Sequence, residues 1–308
     1  MFSKKSTIFA KIETPSGTDS VPTNTVNAVE AYDIDLNPKA DMKERYPANN
    51  TRSAYAEVRG KTIYELKFSV HLKGSGTAGT APRYGCLLRA CDRLETIAGA
   101  PSTCTYTPAI TSETCSIYVN IDGILHILVG CAGDAELDLT SGEVPMIKFT
   151  FSGVYALATD SVISAPTFDT TTPVIVKGET FTFGSYAAIA EKLLLKFGNK
   201  VVERISMNAT EGVFAFMVGD RNPSGVLTCE LVLRATSNAD FLSYFHSGTT
   251  KALSLVHGSV AGNIATITAP ACLLRAPKIG DRDGLRTVDI EFQCARSSGN
   301  DEQSIVLS

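Results

Sequence analysis

The sequence predicts a mainly β chain built from two tandem strand-rich units, each with one short helix packed on it. Three observations lead there. Apolar and polar residues alternate along several stretches, as strands with one buried face require. The order of these stretches repeats between the two halves. A single helix-period stretch follows the second long strand in each half.

The repeat is visible in the residues. Ala31-Tyr-Asp-Ile-Asp-Leu36, Glu44-Arg45 and Leu66-Lys-Phe-Ser-Val-His-Leu72 are followed about 160 residues later by Glu191-Lys-Leu-Leu-Leu195, Glu203-Arg204 and Leu227-Thr-Cys-Glu-Leu-Val-Leu233. Further on the offset falls to about 140, where Gly123-Ile-Leu-His-Ile127 faces Gly262-Asn-Ile-Ala-Thr-Ile267. Met146-Ile-Lys-Phe-Thr-Phe151 likewise faces Thr287-Val-Asp-Ile-Glu-Phe292. The lost offset is extra loop in the first half.

Taken in order, residues 1–28 form an arm. Pro15-Ser-Gly-Thr-Asp19 and Val21-Pro-Thr-Asn24 exclude a regular element there, while Ile8, Phe9 and Ile12 offer apolar groups to bury on a neighbour. The first unit spans 29–155. Its polar loop 39–60 has a tip at Pro47-Ala-Asn-Asn-Thr51. Residues 61–73 alternate, with Tyr64, Leu66, Phe68, Val70 and Leu72 apolar and Glu65, Lys67, Ser69 and His71 between them. After the small-residue coil 74–81, Pro82 opens a helix whose stripe is Tyr84, Leu87, Leu88, Cys91 and Leu94. Asp122-Gly123 turns a hairpin over 115–129, and 145–155 is a further strand. A Thr/Ser/Ala/Pro-rich linker covers 156–180. The second unit, 181–308, places strands at 191–197, 226–234, 251–257, 262–269 and 286–294. Its helix has Ser237 as cap, Phe241, Leu242, Tyr244 and Phe245 as stripe, and Gly248 as terminator.

The totals bound the function. A chain of 308 residues with 44% hydrophobic and 19% charged residues has globular composition and the length of two domains. A net charge of −4 gives no sign of a surface built to grip DNA. The eight cysteines form no Cys-x-x-Cys pair and have no histidine at zinc-ligand spacing, so free buried thiols and folding in a cytoplasm are expected. The basic N-terminus lacks the apolar core of a signal peptide, and no apolar run reaches the ~18 residues of a membrane span.

No enzyme pattern emerges. Gly74-Ser-Gly-Thr-Ala-Gly79 spells a nucleotide fingerprint but sits outside any βαβ unit. His71, His126, His246 and His257 have no nucleophile and orienting acid beside them in sequence. The alternating carboxylates Asp33/Asp35, Asp134/Glu136/Asp138 and Asp289/Glu291 read as solvated strand faces, and the 134–138 trio lacks the glycine of a calcium loop. No catalytic, cofactor-binding or metal-binding residue is assigned.

Several phrases, in order along nearly the whole chain, resemble one family. They are Ile12-Glu-Thr-Pro-Ser-Gly-Thr-Asp-Ser-Val-Pro-Thr23, Tyr84-Gly-Cys-Leu-Leu-Arg-Ala-Cys91, and Val119-Asn-Ile-Asp-Gly-Ile-Leu-His126 with Met146-Ile-Lys-Phe-Thr-Phe-Ser-Gly153. Leu255-Val-His-Gly258, Gly262-Asn-Ile264 and Ser297-Ser-Gly-Asn-Asp-Glu302 complete the set. Together they are similar to the major tail tube proteins of long-tailed bacteriophages. The resemblance implies two β-sandwich or open-barrel domains, each with a flanking helix. It also implies rings stacked into a tube in the virion tail, assembled in the host cytoplasm, through which DNA passes without sequence-specific binding. Six such domains usually surround the channel, so three two-domain chains would close a pseudo-sixfold ring; a hexamer of chains is the other arrangement. Tape-measure, terminator and distal tail proteins are the implied partners besides the chain itself, and no membrane is involved.

On this reading the polar sides of the long strands face the lumen: Glu65, Lys67, Ser69 and His71, with Thr228, Glu230, Val232 and Arg234 from the second half. Leu66 and Phe68 turned inward to the channel would exclude it. Ring-to-ring contact is expected from the arm (Ile8, Phe9, Ile12) and the 39–60 loop (Arg45, Tyr46, Asn49, Asn50, Arg52), so that loss of residues 1–12 would stop polymerisation alone. The competing readings are a two-domain β binding or decoration protein of a virion, and a carbohydrate-active enzyme.

Overall fold

The computed structural model describes residues 5–162, 165–234 and 239–308. The fold is mainly β. The first half runs β1 (Ser6–Ile12), β2 (Ala28–Val29), β3 (Tyr32–Lys43), β4 (Val58–His71), α1 (Gly85–Ala90), β5 (Arg93–Gly99), β6 (Ser102–Pro108), β7 (Cys115–Ile121), β8 (Ile124–Thr140) and β9 (Met146–Tyr155). The second runs β10 (Thr159–Asp160), β11 (Thr180–Phe183), β12 (Ala190–Lys196), β13 (Asn199–Ile205), β14 (Val213–Arg221), β15 (Ser224–Glu230), α2 (Phe241–Ser247), β16 (Lys251–His257), β17 (Ala265–Leu274), β18 (Lys278–Arg282), β19 (Leu285–Ala295) and β20 (Ser304–Leu307).

Pairing is antiparallel throughout, and its order repeats. In the first half the neighbours are β3, β4, β9, β8, β7 and β1. In the second they are β12, β15, β19, β17, β16 and β11. Even the irregularities recur. The β7–β8 pairing slips between Cys115 and Ile117, and β16–β17 slips between Lys251 and Leu253. A bulge is a specific local device, so a shared one aligns two strands residue by residue. It makes Cys131 correspond to Cys272. Stepping across the sheet from that match makes Phe151 correspond to Phe292 and Leu36 to Leu195. A second pair of slips, before Met42 in β3 and before Val201 in β13, gives the same spacing independently.

Alternation explains the core. Leu66, Phe68 and Val70 of β4 lie against Phe151, Phe149 and Ile147 of β9, all at most 2% exposed. Leu227, Cys229, Val288 and Ile290 do the same between β15 and β19. One continuous apolar cluster takes side chains from both halves, and all eight cysteines are free thiols, seven of them buried.

Several elements differ from the expectation. α1 stops at Ala90 because Asp92 adopts a left-handed φ of 62°, so Leu94 lies on β5 and is exposed. β15 ends at Glu230, short of 234. The 39–60 loop is largely strand at its ends, leaving 44–57 irregular and exposed. In α2 the Asp240 carboxylate accepts the Ser243 N–H at 3.0 Å and Gly248 closes the helix at φ 65°; Ser237 lies outside the described residues. Of the α2 stripe only Phe241 is buried. The 156–180 segment is tied down where it is described: Lys73 Nζ donates to Thr171 O, and Val176 is buried.

The arm is the largest difference. β1 pairs along its whole length with β7, and Ile8 and Phe9 are buried in the chain's own core, with Ile12 half-buried. A strand between β2 and β7 had an intramolecular edge to satisfy, so those apolar groups are spent inside the chain rather than on a neighbour. Loss of residues 1–12 therefore removes a core strand and acts on folding before assembly.

The Gly-rich loop 74–79 also has a structural reason. A Cβ on Gly74 would meet Gly262 O, and one on Gly262 (φ 84°) would lie 2.4 Å from the Gly76 carbonyl carbon. The two backbones touch, with Gly76 N–H donating to Gly262 O at 3.0 Å and Gly74 N–H to Asn263 Oδ1 at 2.8 Å. These glycines fasten one half to the other instead of cradling a phosphate. Gly262→Ala should cost about 3 kcal/mol through strain and overpacking, measured as a lowered urea midpoint; an unchanged midpoint would show that the two loops separate freely.

Candidate tube-lining face

The two halves meet strand to strand. The end of β8 bonds β12, with Glu136 opposite Lys196, Leu137 opposite Leu195 and Thr140 opposite Lys192. This joint makes one antiparallel sheet in the order β3, β4, β9, β8, β12, β15, β19, β18. A second joint, β20 with β6, links the outer layer across the halves. Between the layers lie Arg93, buried and stacked 3.7 Å from the centre of the Phe197 ring, and Arg221, paired with Asp92 at 2.9 Å.

Directly opposed residues in a sheet share a face, so the side chains away from the core can be followed across its six inner strands. From β4 come Glu65 and Lys67, opposite Ser152 and Thr150 of β9. Next are Glu136 and Asp138 on β8, Lys192 and Lys196 on β12, then Thr228 and Glu230 on β15 opposite Asp289 and Thr287 on β19. Acidic and basic groups alternate and pair. Lys67 reaches Glu65 at 3.2 Å, Lys196 reaches Glu136 at 3.3 Å, and Asp138 sits between Lys148 at 2.7 Å and Lys192 at 3.1 Å. Burial pushes the Asp138 carboxyl up, but the two lysines outweigh it and hold the group below the usual carboxylate range. The carboxylate trio 134–138 is thus engaged by lysines and, at Asp134, by the Asn199 N–H at 3.0 Å. Among the described residues no group of three or more metal-ligating side chains converges.

Of the residues the sequence pointed to, Glu65, Lys67, Thr228 and Glu230 share this face. Leu66 and Phe68 point the other way, into the core. Ser69 lies on the polar side of β4 but is buried, and His71 stacks 4.4 Å from the Tyr32 ring centre, where burial lowers its pKa and favours the neutral form. Val232 and Arg234 leave the sheet because the strand ends first; Arg234 instead holds Asp240, the cap of α2, at 2.9 Å. Arg45, Tyr46, Asn49, Asn50 and Arg52 are all exposed on the 44–57 segment, Tyr46 by 81%. Lys148, Lys192, Lys196, Glu136 and Asp138 were missed as a set. Their signal was present as alternation at 134–140, but the joint that assembles them is a long-range pairing that no local pattern encodes.

The closing Ser297–Glu302 phrase is a turn: Asp301 accepts backbone N–H groups from Ser297, Ser298 and Gly299, and the Ser298 bond first among these draws its pKa down to about 2. Among the described residues the face is a broad polar wall with an open depression bordered by Asp33, Lys67, Ser69, Asp134, Glu136 and Lys148. No curated protein matches the chain. The profile of the phage tail tube proteins matches residues 3–294, nearly the whole chain, and this chain belongs to that family.

Proposed function

We propose that this chain is the building block of a long-tailed bacteriophage tail tube, and that three copies close a ring whose six halves hold quasi-equivalent places around a DNA channel. The observation that carries this reading is the β8–β12 joint. It sets two topologically matching units edge to edge in one sheet, with a polar, charge-balanced face on one side and the core on the other. Repeating that joint between chains generates a closed wall and leaves no open edge in this sheet. A wall of paired charges suits a conduit: its net field is small, so DNA slides past without being held. The exposed segment 44–57, with Arg45, Tyr46, Asn49, Asn50 and Arg52, is assigned to ring-to-ring contact. The tape-measure protein would occupy the lumen before DNA, and terminator and distal tail proteins would cap the tube ends in the virion, after assembly in the host cytoplasm.

Negative-stain microscopy of the purified chain tests the reading directly. Rings or tubes with a central channel are expected, and amine-reactive labelling of Lys67, Lys148 and Lys192 should fall at least tenfold on polymerisation. Monodisperse monomers at every concentration would overturn it.

A further inference from the structure

The eight-strand sheet that carries the polar face has one open edge at each end: β3 bonds only β4, and β18 bonds only β19. The repeat says what each is for. On β19, Lys278 faces Asp289 as Glu136 faces Lys148 on β9, and Ile279 faces Val288 as Leu137 faces Ile147. β18 is therefore the second-half counterpart of the end of β8. β3 is the counterpart of β12, with Leu36 matching Leu195 and Asn37 matching Lys196, up to the β3 bulge between Asp35 and Tyr32, where Asp33 takes a φ of 53°. Inside the chain the end of β8 and β12 are bonded to each other. Their counterparts β18 and β3 lie at opposite ends of the same sheet, where one chain cannot bring them together.

We infer that β18 of one chain pairs antiparallel with β3 of a second copy, in the register of the internal joint: Lys278 opposite Asn37, Ile279 opposite Leu36 and Gly280 opposite Asp35, with Arg282 at the β3 bulge that holds Asp33. The inference rests on the ring reading and specifies its chain-to-chain contact. Two observations beyond the topology support it. Ile279 is 58% exposed, whereas its counterpart Leu137 is 1% exposed under Leu195; β3, with half-buried Leu36, supplies the missing cover. The charges also match, with their signs exchanged. The internal joint sets acidic β8 (Glu136, Asp138) against basic β12 (Lys192, Lys196). The external joint sets basic β18 (Lys278, Arg282) against acidic β3 (Asp33, Asp35). Opposite charges across strands favour the pair and like charges oppose it. A β3–β3 or β18–β18 contact would then be repulsive, so the edges enforce head-to-tail joining, which closes rings, and reject a two-fold dimer.

The test uses full-length chains. K278E/R282E makes both edges acidic, D33N/D35K makes both basic or neutral, and the quadruple variant exchanges the signs. Each double variant should lose at least tenfold in ring or tube yield by sedimentation and microscopy, and the quadruple variant should recover assembly; because Lys278 and Arg282 also meet Glu291 and Glu191 within the chain at partly exposed positions, the thermal melt of K278E/R282E in dilute solution should fall only slightly. Doubles that assemble like wild type, or a folded quadruple that fails, would overturn the register. Independently, oxidising a mixture of N37C and K278C chains should give a covalent heterodimer; its absence while wild-type tubes form also overturns the joint. Failure of wild type to form rings at all would instead count against the tube reading, and the 37–278 crosslink would still report on the edge contact.

Discussion

Glu13→Ala should lower the stability of the folded chain by about 3–5 kcal/mol, the largest loss expected from any single side chain described above. Glu13 is 6% exposed and follows β1 directly. Its carboxylate accepts the Thr114 hydroxyl at 2.6 Å, the Ser116 hydroxyl at 2.8 Å, and the N–H groups of Gly17 and Gly130 at 2.7 Å each. Those donors come from the arm, the start of β7 and the bulge of β8, so one group ties three segments. Alanine leaves buried donors without an acceptor and opens a space that water enters only by loosening the arm. Glu13→Gln keeps one acceptor oxygen but turns an NH2 toward donors, so an intermediate loss is expected. For a chain of this length the alanine variant should melt roughly 5–8 °C lower, with an unchanged urea m-value. A loss below about 1 kcal/mol would mean that the arm is not held by this carboxylate in solution.

The same arm shows where the sequence was legible and where it was not. Strands such as β4, β9 and β16 announce themselves because one face meets the core, so polarity alternates residue by residue. The hairpin at Asp122-Gly123 is equally local, since both residues take a positive φ there. β1 is not: Thr7 to Ala10 are all buried, alternation disappears, and the segment reads as an apolar patch looking for a partner. The partner was β7, more than a hundred residues away. β13 and β14 were missed because Phe214 and Met217 stay partly exposed while Val213, Phe216 and Val218 pack on Ala132 of the first half; the pattern makes sense only once the halves are adjacent. The polar face was half legible. Glu65, Lys67, Thr228 and Glu230 follow from strand period alone, whereas placing Asp138 between Lys148 and Lys192 requires the β8–β12 joint.

Mixing the two double variants should fail to restore rings, and the reason is arithmetic. Call the K278E/R282E chain acidic and the D33N/D35K chain basic. At the β18–β3 joint an acidic chain accepts only a basic neighbour, and a basic chain only an acidic one. A closed ring must then alternate, and alternation needs an even number of chains. Three chains always leave one like-charged joint, with two carboxylates or two cations brought to cross-strand distance. A one-to-one mixture should therefore give open pairs and short oligomers in sedimentation, and no tubes, at concentrations where the quadruple variant assembles normally. A ring of six chains has no such conflict and would reassemble from the mixture as readily as from wild type. Ring recovery in the mixture would thus discard three chains per ring while keeping the β18–β3 joint. Recovery by the quadruple variant alone fixes an odd number of chains, and with two matching units in each chain, three is the number that sets six units around the channel.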